Sequence, residues 1–269
     1  MPELPEVEVT RRGLAGLLGR RVTGVATRAA ALRYPLPKDL ARRLGGKVVR
    51  DIGRRGKYLL FAFDDGHLLV HLGMSGSLRL TRAGEAPAKH DHLDLVFGRQ
   101  VLRLRDPRRF GAVLWLTDDP ASHPLLAGLG LEPLERGFTP ARLSAALAGR
   151  RTAIKPALMD ARLVVGVGNI YASESLFAAG IDPRRPAGEL SAAEAARLVP
   201  AIKATLRRAI RAGGSSLRDY VQSDGGAGSF QLRHHVYGRG GEPCRHCGTP
   251  ICALRQTGRA TYYCPRCQR

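Results

Sequence analysis

Several things are scarce in these 269 residues, and each scarcity excludes something. No stretch approaches the ~18 consecutive apolar residues of a membrane-spanning helix. The start carries neither the charged n-region nor the apolar h-region of a signal peptide, so a soluble, cytoplasmic protein with no membrane partner is expected. Cysteine is missing from the first 243 residues, which excludes a disulfide framework spread through the chain. Lysine is rare: six of the 43 basic residues, with arginine as the default cation, so each lysine is a candidate for a specific task. Acidic residues are also few, 23 against those 43. The resulting charge of +20 makes a polyanion the expected partner.

What cysteine there is lies at 244, 247, 252, 264 and 267. C-R-H-C, sixteen residues, then C-P-R-C is the spacing of a four-cysteine zinc ribbon, each Cys-x-x-Cys knuckle giving two thiolates to a tetrahedral ion. One structural Zn²⁺ per chain on Cys244, Cys247, Cys264 and Cys267 is therefore expected, with Cys252 left as a small apolar residue on the intervening hairpin. After Pro243 the chain carries five arginines and no side-chain carboxylate, so the ribbon itself suits a polyanion.

The first residues, M-P-E-L-P-E-V-E-V, suggest chemistry. Removal of Met1 would leave Pro2 as a secondary amine, and an α-amine titrates at about 7.7–8.0, low enough to act as a nucleophile. Condensed with a sugar aldehyde carbon, such an amine gives an iminium with no N–H to lose, which stays cationic and draws electrons for elimination. Glu3 is placed to move protons beside it. Pro5 is expected at the first helical position of a helix running to about Leu18, with Glu6 and Glu8 in its positive first turn. Glu6 also lies one turn from Pro2, close enough to support the chemistry.

Beyond that helix, residues 21–28 and then 47–116 alternate with the period of strands. The candidates are Val48–Ile52, Tyr58–Phe63, His67–His71, Leu78–Leu80, Leu93–Phe97, Val101–Arg105 and Ala112–Leu116, with hairpin turns at D-D-G and F-G-R-Q. Short antiparallel strands in this number predict a β-sandwich. From Thr139 the period becomes helical, over 139–148, 155–161, 169–179, 191–212 and 215–222, with helix starts at Thr139-Pro140 and Ser191. A glycine-rich loop follows at 223–231. In V-G-V-G-N-I-Y-A-S-E two glycines turn the backbone into a helix with Asn169 at or near its cap, a ready phosphate site.

The order of motifs resembles formamidopyrimidine-DNA glycosylases, bacterial repair enzymes for oxidised purines. M-P-E-L-P-E-V-E, R-R-G-K-Y, H-L-G-M-S-G, K-H-D-H-L-D-L, D-P-R-R-F-G, T-A-I-K-P-A-L-M-D, V-G-V-G-N-I-Y-A-S-E, Q-S-D-G, V-Y-G-R and the ribbon carry the resemblance over nearly the whole chain. It implies an α+β, multidomain fold: a leading helix plus β-sandwich catalytic domain at 1–118, a linker at 119–136, a helical helix–two-turn–helix DNA-binding domain at 137–230 and the zinc ribbon at 231–269.

The resemblance also implies roles. Pro2 attacks C1′ of the damaged nucleotide, Glu3 serves as acid and base, Lys57 assists β-elimination, and Arg259 grips phosphate and assists δ-elimination. Met74, Arg108 and Phe110 fill the hole left by the flipped base. His90, Arg109, Arg150 and Asn169 hold the DNA backbone, and Lys155 serves recognition of the oxidised purine. A monomer acting on damaged double-stranded DNA is expected. Two alternatives stay open: an endonuclease VIII-type enzyme for oxidised pyrimidines, and a DNA-binding protein without catalysis.

Overall fold

In the computed structural model, which describes residues 2–215, 223, 226 and 228–269, the chain opens with helix α1 (Leu4–Gly13). Glu3 is its N-cap, Pro5 stands at the second helical position rather than the first, and the α-helical run stops at Gly13. A 3₁₀ turn over Ala15–Leu17 finishes the apolar stripe, burying Leu17 where the sequence suggested continuous helix.

Eight antiparallel strands follow: β1 (Gly24–Thr27), then helix α2 (Leu40–Leu44), β2 (Asp51–Arg55), β3 (Tyr58–Phe63), β4 (Gly66–His71), β5 (Ser77–Arg82), β6 (Asp91–Phe97), β7 (Gln100–Arg105) and β8 (Ala112–Leu116). They make two four-stranded sheets, ordered β1-β6-β7-β5 and β2-β3-β4-β8. β3 shows the physical basis: Leu59, Phe61 and Phe63 alternate inward at the period of two that a half-buried strand requires. They share one core with Val7, Leu14 and Leu17 from the leading segment and with Leu93, Leu95, Leu102 and Leu104 from the other sheet.

Two short helices escaped the period-based reading. α2 lies between strands and is helped by Asp39, which pairs with Arg42 and Arg43 at 2.9 and 2.8 Å. Helix α3 (Pro124–Ala127) falls where the sequence suggested only linker.

The second half is helical: α4 (Pro140–Leu147), α5 (Ile154–Met159), α6 (Asn169–Ala179) and α7 (Ala192–Arg211), closed by the hairpin β9 (Cys252–Gln256) and β10 (Arg259–Tyr263). The predicted starts have local causes. Thr139 Oγ1 accepts from Arg142 N–H with Pro140 in the first turn. Ser191 and Glu194 cap each other reciprocally at 3.2 and 2.9 Å. α6 ends at Gly180, whose φ of 70° is the left-handed cap that glycine takes without strain.

The backbone divides into two compact units: Met1–Ala127 with Ala212–Ser229, and Gly128–Arg211 with Phe230–Arg269. Hydrogen bonds explain the return of the later segment to the sandwich: Ser215 N–H donates to Glu6 Oε1 at 2.8 Å, and Leu80 N–H to the Ser223 carbonyl at 2.8 Å. The helix suggested over 215–222 lies outside the described residues from 216 on, as do positions 224, 225 and 227 of the glycine-rich loop. No described helix is long and apolar enough to cross a membrane.

Candidate active site and metal centre

In the first unit the start of α1 is built as a capping box. Glu6 Oε2 accepts the Glu3 backbone N–H at 2.8 Å while the Glu3 carboxylate turns back over the helix start. Pro2, Glu3 and Glu6 are all buried. The Glu6 carboxylate, only 1% exposed, thus joins the peptide that follows Pro2 to Ser215 through its two oxygens. Two roles converge on one side chain, a structural cap and a neighbour of the nucleophile.

α1 packs on β2 and β3, whose two-residue turn is Gly56–Lys57. Gly56 has a φ of 56°, the positive value that the first position of a primed hairpin turn demands. Lys57 is half-buried there, and its charge reaches His71, which faces Tyr58 across the strand pair. Burial first, then the charges of Lys57 and Arg33, push the His71 imidazole down to about 4. It is therefore neutral at ordinary pH, with Nδ1 accepting the Gly73 N–H at 3.1 Å.

Gly73 leads directly to Met74. A Cβ on Gly73 would lie 2.4 Å from the Phe110 carbonyl carbon and 2.5 Å from Gly111 N, so only glycine lets the two loops touch backbone to backbone. Asp106, fully buried, ties them further: Oδ1 accepts from Ser75 Oγ at 3.0 Å and Oδ2 from Gly111 N–H at 2.8 Å. The result is a shared tip on which Met74 is 39% and Phe110 46% exposed. The Arg108 guanidinium lies 4.8 Å above the Phe110 ring. Arg109 beside it is exposed with φ 54°, and His90, whose carbonyl accepts the Asp106 N–H, has φ 76°. Two non-glycine residues in left-handed backbone on adjacent loops are strain that the surrounding bonds hold in place.

In the second unit α6 starts at Asn169, with Gly168 as cap. Asn169 Oδ1 accepts from Lys155 Nζ at 2.6 Å and its Nδ2 donates to the Tyr237 hydroxyl at 3.4 Å. Lys155 is 1% exposed, and Nζ also donates to the Ala260 carbonyl and to Thr261 Oγ1, each at 2.8 Å. Asn169, Ala260 and Thr261 thus each take a hydrogen bond from this ammonium. It joins α5, α6 and β10 directly beside Arg259, which is exposed at the start of β10. Arg150 is exposed after α4 and its Nε donates to the Ala146 carbonyl at 3.0 Å, closing the helix end.

Two residues with evident structural roles were not singled out from sequence. Glu174 of α6 accepts from the backbone N–H groups of His235, Val236 and Tyr237 at 2.9–3.1 Å, fixing the segment that brings Tyr237 to Asn169. Asp106 is the other; its place before Pro107 in D-P-R-R hinted at a turn but not at two loops.

The four cysteine sulfurs of 244, 247, 264 and 267 lie within 4.8 Å of one another. Cys244 to Cys267 is 4.0 Å and Cys247 to Cys264 is 3.5 Å, close to the roughly 3.8 Å edge of a tetrahedron with Zn–S bonds of about 2.3 Å. The donor set fits one zinc ion, closed to water and so structural. Val236 and Ile251 pack under it. Cys252 lies outside this cluster, on β9.

Comparison with known proteins agrees with this arrangement. Residues 1–113 match the family model of the formamidopyrimidine-DNA glycosylase N-terminal domain, 129–221 that of the formamidopyrimidine-DNA glycosylase H2TH domain, and 241–269 that of the zinc finger found in FPG and IleRS. The formamidopyrimidine-DNA glycosylases of Thiobacillus denitrificans and Aromatoleum aromaticum are 59% and 57% identical to the chain, with all of each chain covered. Among solved structures, a mutant Lactococcus lactis FPG in complex with Fapy-dG containing DNA superposes with a TM-score of 0.92 at 35% identity, covering 100% of both chains. The MutM (FPG) protein of Thermus thermophilus gives 0.87 at 42%, covering 99% of this chain and 98% of that one. With matching domains in the same order and relatives this similar over their full length, the chain belongs to the formamidopyrimidine-DNA glycosylase family.

Proposed function

We propose that the chain is a bifunctional DNA glycosylase of base-excision repair, removing oxidised purines and then cleaving the abasic strand. The observation that carries the reading is the first unit's assembly of a capped N-terminal proline and glutamate, a lysine-bearing turn on the adjoining sheet and an exposed aromatic wedge. It is supported by the relative solved with Fapy-dG containing DNA.

In this reading Pro2 nitrogen attacks C1′, and the base departs with the electrons of the glycosidic bond. Glu3 protonates the ring oxygen as the sugar opens to the iminium. Loss of the C2′ proton turns the iminium into an enamine, whose electrons return to expel the 3′ phosphate and restore the iminium, with Lys57 assisting; loss of the C4′ proton then sends electrons through the conjugated iminium to expel the 5′ phosphate, with Arg259 assisting. Met74, Arg108 and Phe110 occupy the space left by the extruded base, which offsets a few kcal/mol of unstacking. His90, Arg109, Arg150 and Asn169 hold phosphates. Lys155 acts on recognition through Asn169 and the strand carrying Arg259, since its ammonium is engaged by both. Residues 1–118, 137–230 and 231–269 are read as catalytic, helix–two-turn–helix and ribbon parts around a linker at 119–136, working as a cytoplasmic monomer.

Duplexes each carrying one defined lesion test the reading. Borohydride is expected to trap the protein on 8-oxoguanine and abasic duplexes, with the adduct on Pro2. An adduct on Lys57 or Lys155, or a preference for oxidised pyrimidines, would overturn it. No trapped complex on any duplex would favour a binding protein without catalysis.

A further inference from the structure

Glu8 takes no part in the chemistry above, yet its buried carboxylate receives four hydrogen bonds from three arginines. Arg11 gives two, Nε at 3.0 Å and Nη2 at 2.9 Å, Arg12 gives one through Nε at 2.8 Å, and Arg54 gives one through Nε at 3.1 Å. Burial opposes its ionisation. The hydrogen bonds of Arg11 and Arg12, the charge of Arg11 and the bond from Arg54 outweigh that and hold it down at about 2.

Arg54 is the member that leads somewhere. Its side chain on β2 is 10% exposed, and while Nε faces Glu8, Nη1 donates to the Gly56 carbonyl at 2.9 Å. Arg11 adds a second tie to the same strand, Nη1 to the Ile52 carbonyl at 3.2 Å. Gly56 and Lys57 are the whole loop between the paired residues Arg55 and Tyr58. The carbonyl that Arg54 holds belongs to the peptide bond joining Gly56 to Lys57. Fixing that peptide plane fixes the direction in which the Lys57 side chain leaves the backbone.

Two hydrogen bonds therefore run from α1, whose cap holds Pro2 and Glu3, to the peptide before Lys57. A buried ion cluster is a weak way to gain stability, because desolvation cancels most of its attraction; apolar side chains of the same volume would serve as well or better. What a guanidinium fork adds is direction, since its donors lie in one plane at fixed angles. Apolar contact between helix and turn would allow sliding that this pair forbids.

We propose that Glu8 and Arg54 are positioning residues for strand cleavage, setting the Lys57 turn in register with the helix cap that carries Pro2 and Glu3. The inference rests on the reading of Lys57 as a participant in elimination.

Single-turnover nicking of an abasic duplex by saturating enzyme tests it, with Arg54→Met, Lys57→Ala and the double variant compared in one cycle. Arg54→Met should slow nicking by about tenfold to a hundredfold, the range that sub-ångström to ångström misplacement produces, with duplex affinity unchanged. In the Lys57→Ala background the same change should cost less than about twofold, since there is no lysine left to misplace. Arg54→Lys keeps the charge without the fork and should behave like Arg54→Met. Equal losses in both backgrounds would show general loosening of the sandwich and overturn the proposal. Wild-type nicking by Arg54→Met beside a slow Lys57→Ala would overturn it while leaving the role of Lys57 intact; wild-type nicking by Lys57→Ala would remove both. If Arg54→Met does not fold, Glu8→Gln decides through the same cycle, a smaller Lys57-dependent loss supporting the proposal and a Lys57-independent one refuting it.

Discussion

A phenylalanine ring standing 46% exposed under a guanidinium 4.8 Å away is poorly explained by folding, because burying it would have stabilised the sheet beneath. The proposed function gives it a use, insertion into the duplex. Phe110→Ala should weaken binding to a damaged duplex by roughly 1–3 kcal/mol, the worth of one stacked aromatic, while the melting temperature stays within a degree or two of wild type. Filter binding and calorimetry read the two separately, and a large fall in melting temperature would mean the ring is core. Lys155 presents the opposite case. With its ammonium among Asn169, Ala260 and Thr261, Lys155→Met would remove the donor to one buried and two half-buried acceptors, at about 1–3 kcal/mol. Its melting temperature should fall with zinc still bound. A variant that melts like wild type and loses only purine excision would show that the ammonium meets the base directly.

Elements here are joined by single buried groups. The Met74 and Phe110 loops depend on Asp106, whose two oxygens hold one loop each. Asp106→Ala should reduce damaged-duplex affinity although Asp106 is buried beneath the tip. Unchanged affinity in a folded Asp106→Ala protein would show that the wedge holds its shape unaided. The terminal hairpin depends on its metal in the same way, since Val236 and Ile251 give it little core of its own. Cys264→Ser should release zinc and abolish duplex binding while α4 to α7 keep their circular dichroism; Cys252→Ala should keep one zinc per chain. Arg259→Ala should keep the zinc and lower the slope of log affinity against log salt by about one, the signature of one lost phosphate contact. Full-affinity binding by zinc-free protein would contradict the dependence of the DNA grip on the ribbon.

For the molecule as a whole, stability follows pH through the buried histidines and the arginine-paired carboxylates. His71 is depressed from 6.5 to about 4 by burial, then by Lys57 and Arg33. The unfolded chain takes a proton that the folded one refuses, so the stabilisation is complete above 6.5 and drains away as pH falls from 6.5 to about 4. Glu8, depressed from 4.5 to about 2, loses its contribution in a second window below 4.5. Urea midpoints measured from pH 7.5 downward should decline through both windows, and His71→Gln should lessen the upper decline, to which His90, His234 and His235, also lowered by burial, add their share. An undiminished upper step in His71→Gln would assign that window to another group.

What the sequence determined by itself is what neighbours in the chain decide. Alternation placed β3 to β8 but set β2 three residues early, at Val48–Ile52 against the observed Asp51–Arg55; Ser191 and Thr139 started their helices, and two Cys-x-x-Cys knuckles named the metal and its four ligands. The order of motifs placed the chain among formamidopyrimidine-DNA glycosylases, as matching domains and relatives up to 59% identical agree. These are short-range matters of period, cap and spacing, and they survive being read one segment at a time. Tertiary structure decided the partners of buried charge. Glu8 meets Arg54 across 46 residues, Lys155 meets Ala260 across 105, and Glu6 meets Ser215 across 209. It also decided that Ser215 and Ser223, beyond α7, bond back to the sandwich. No local pattern marks such pairs, because a charge enters a core only where folding brings an opposite charge or a set of acceptors to meet it, and that meeting belongs to the fold as a whole.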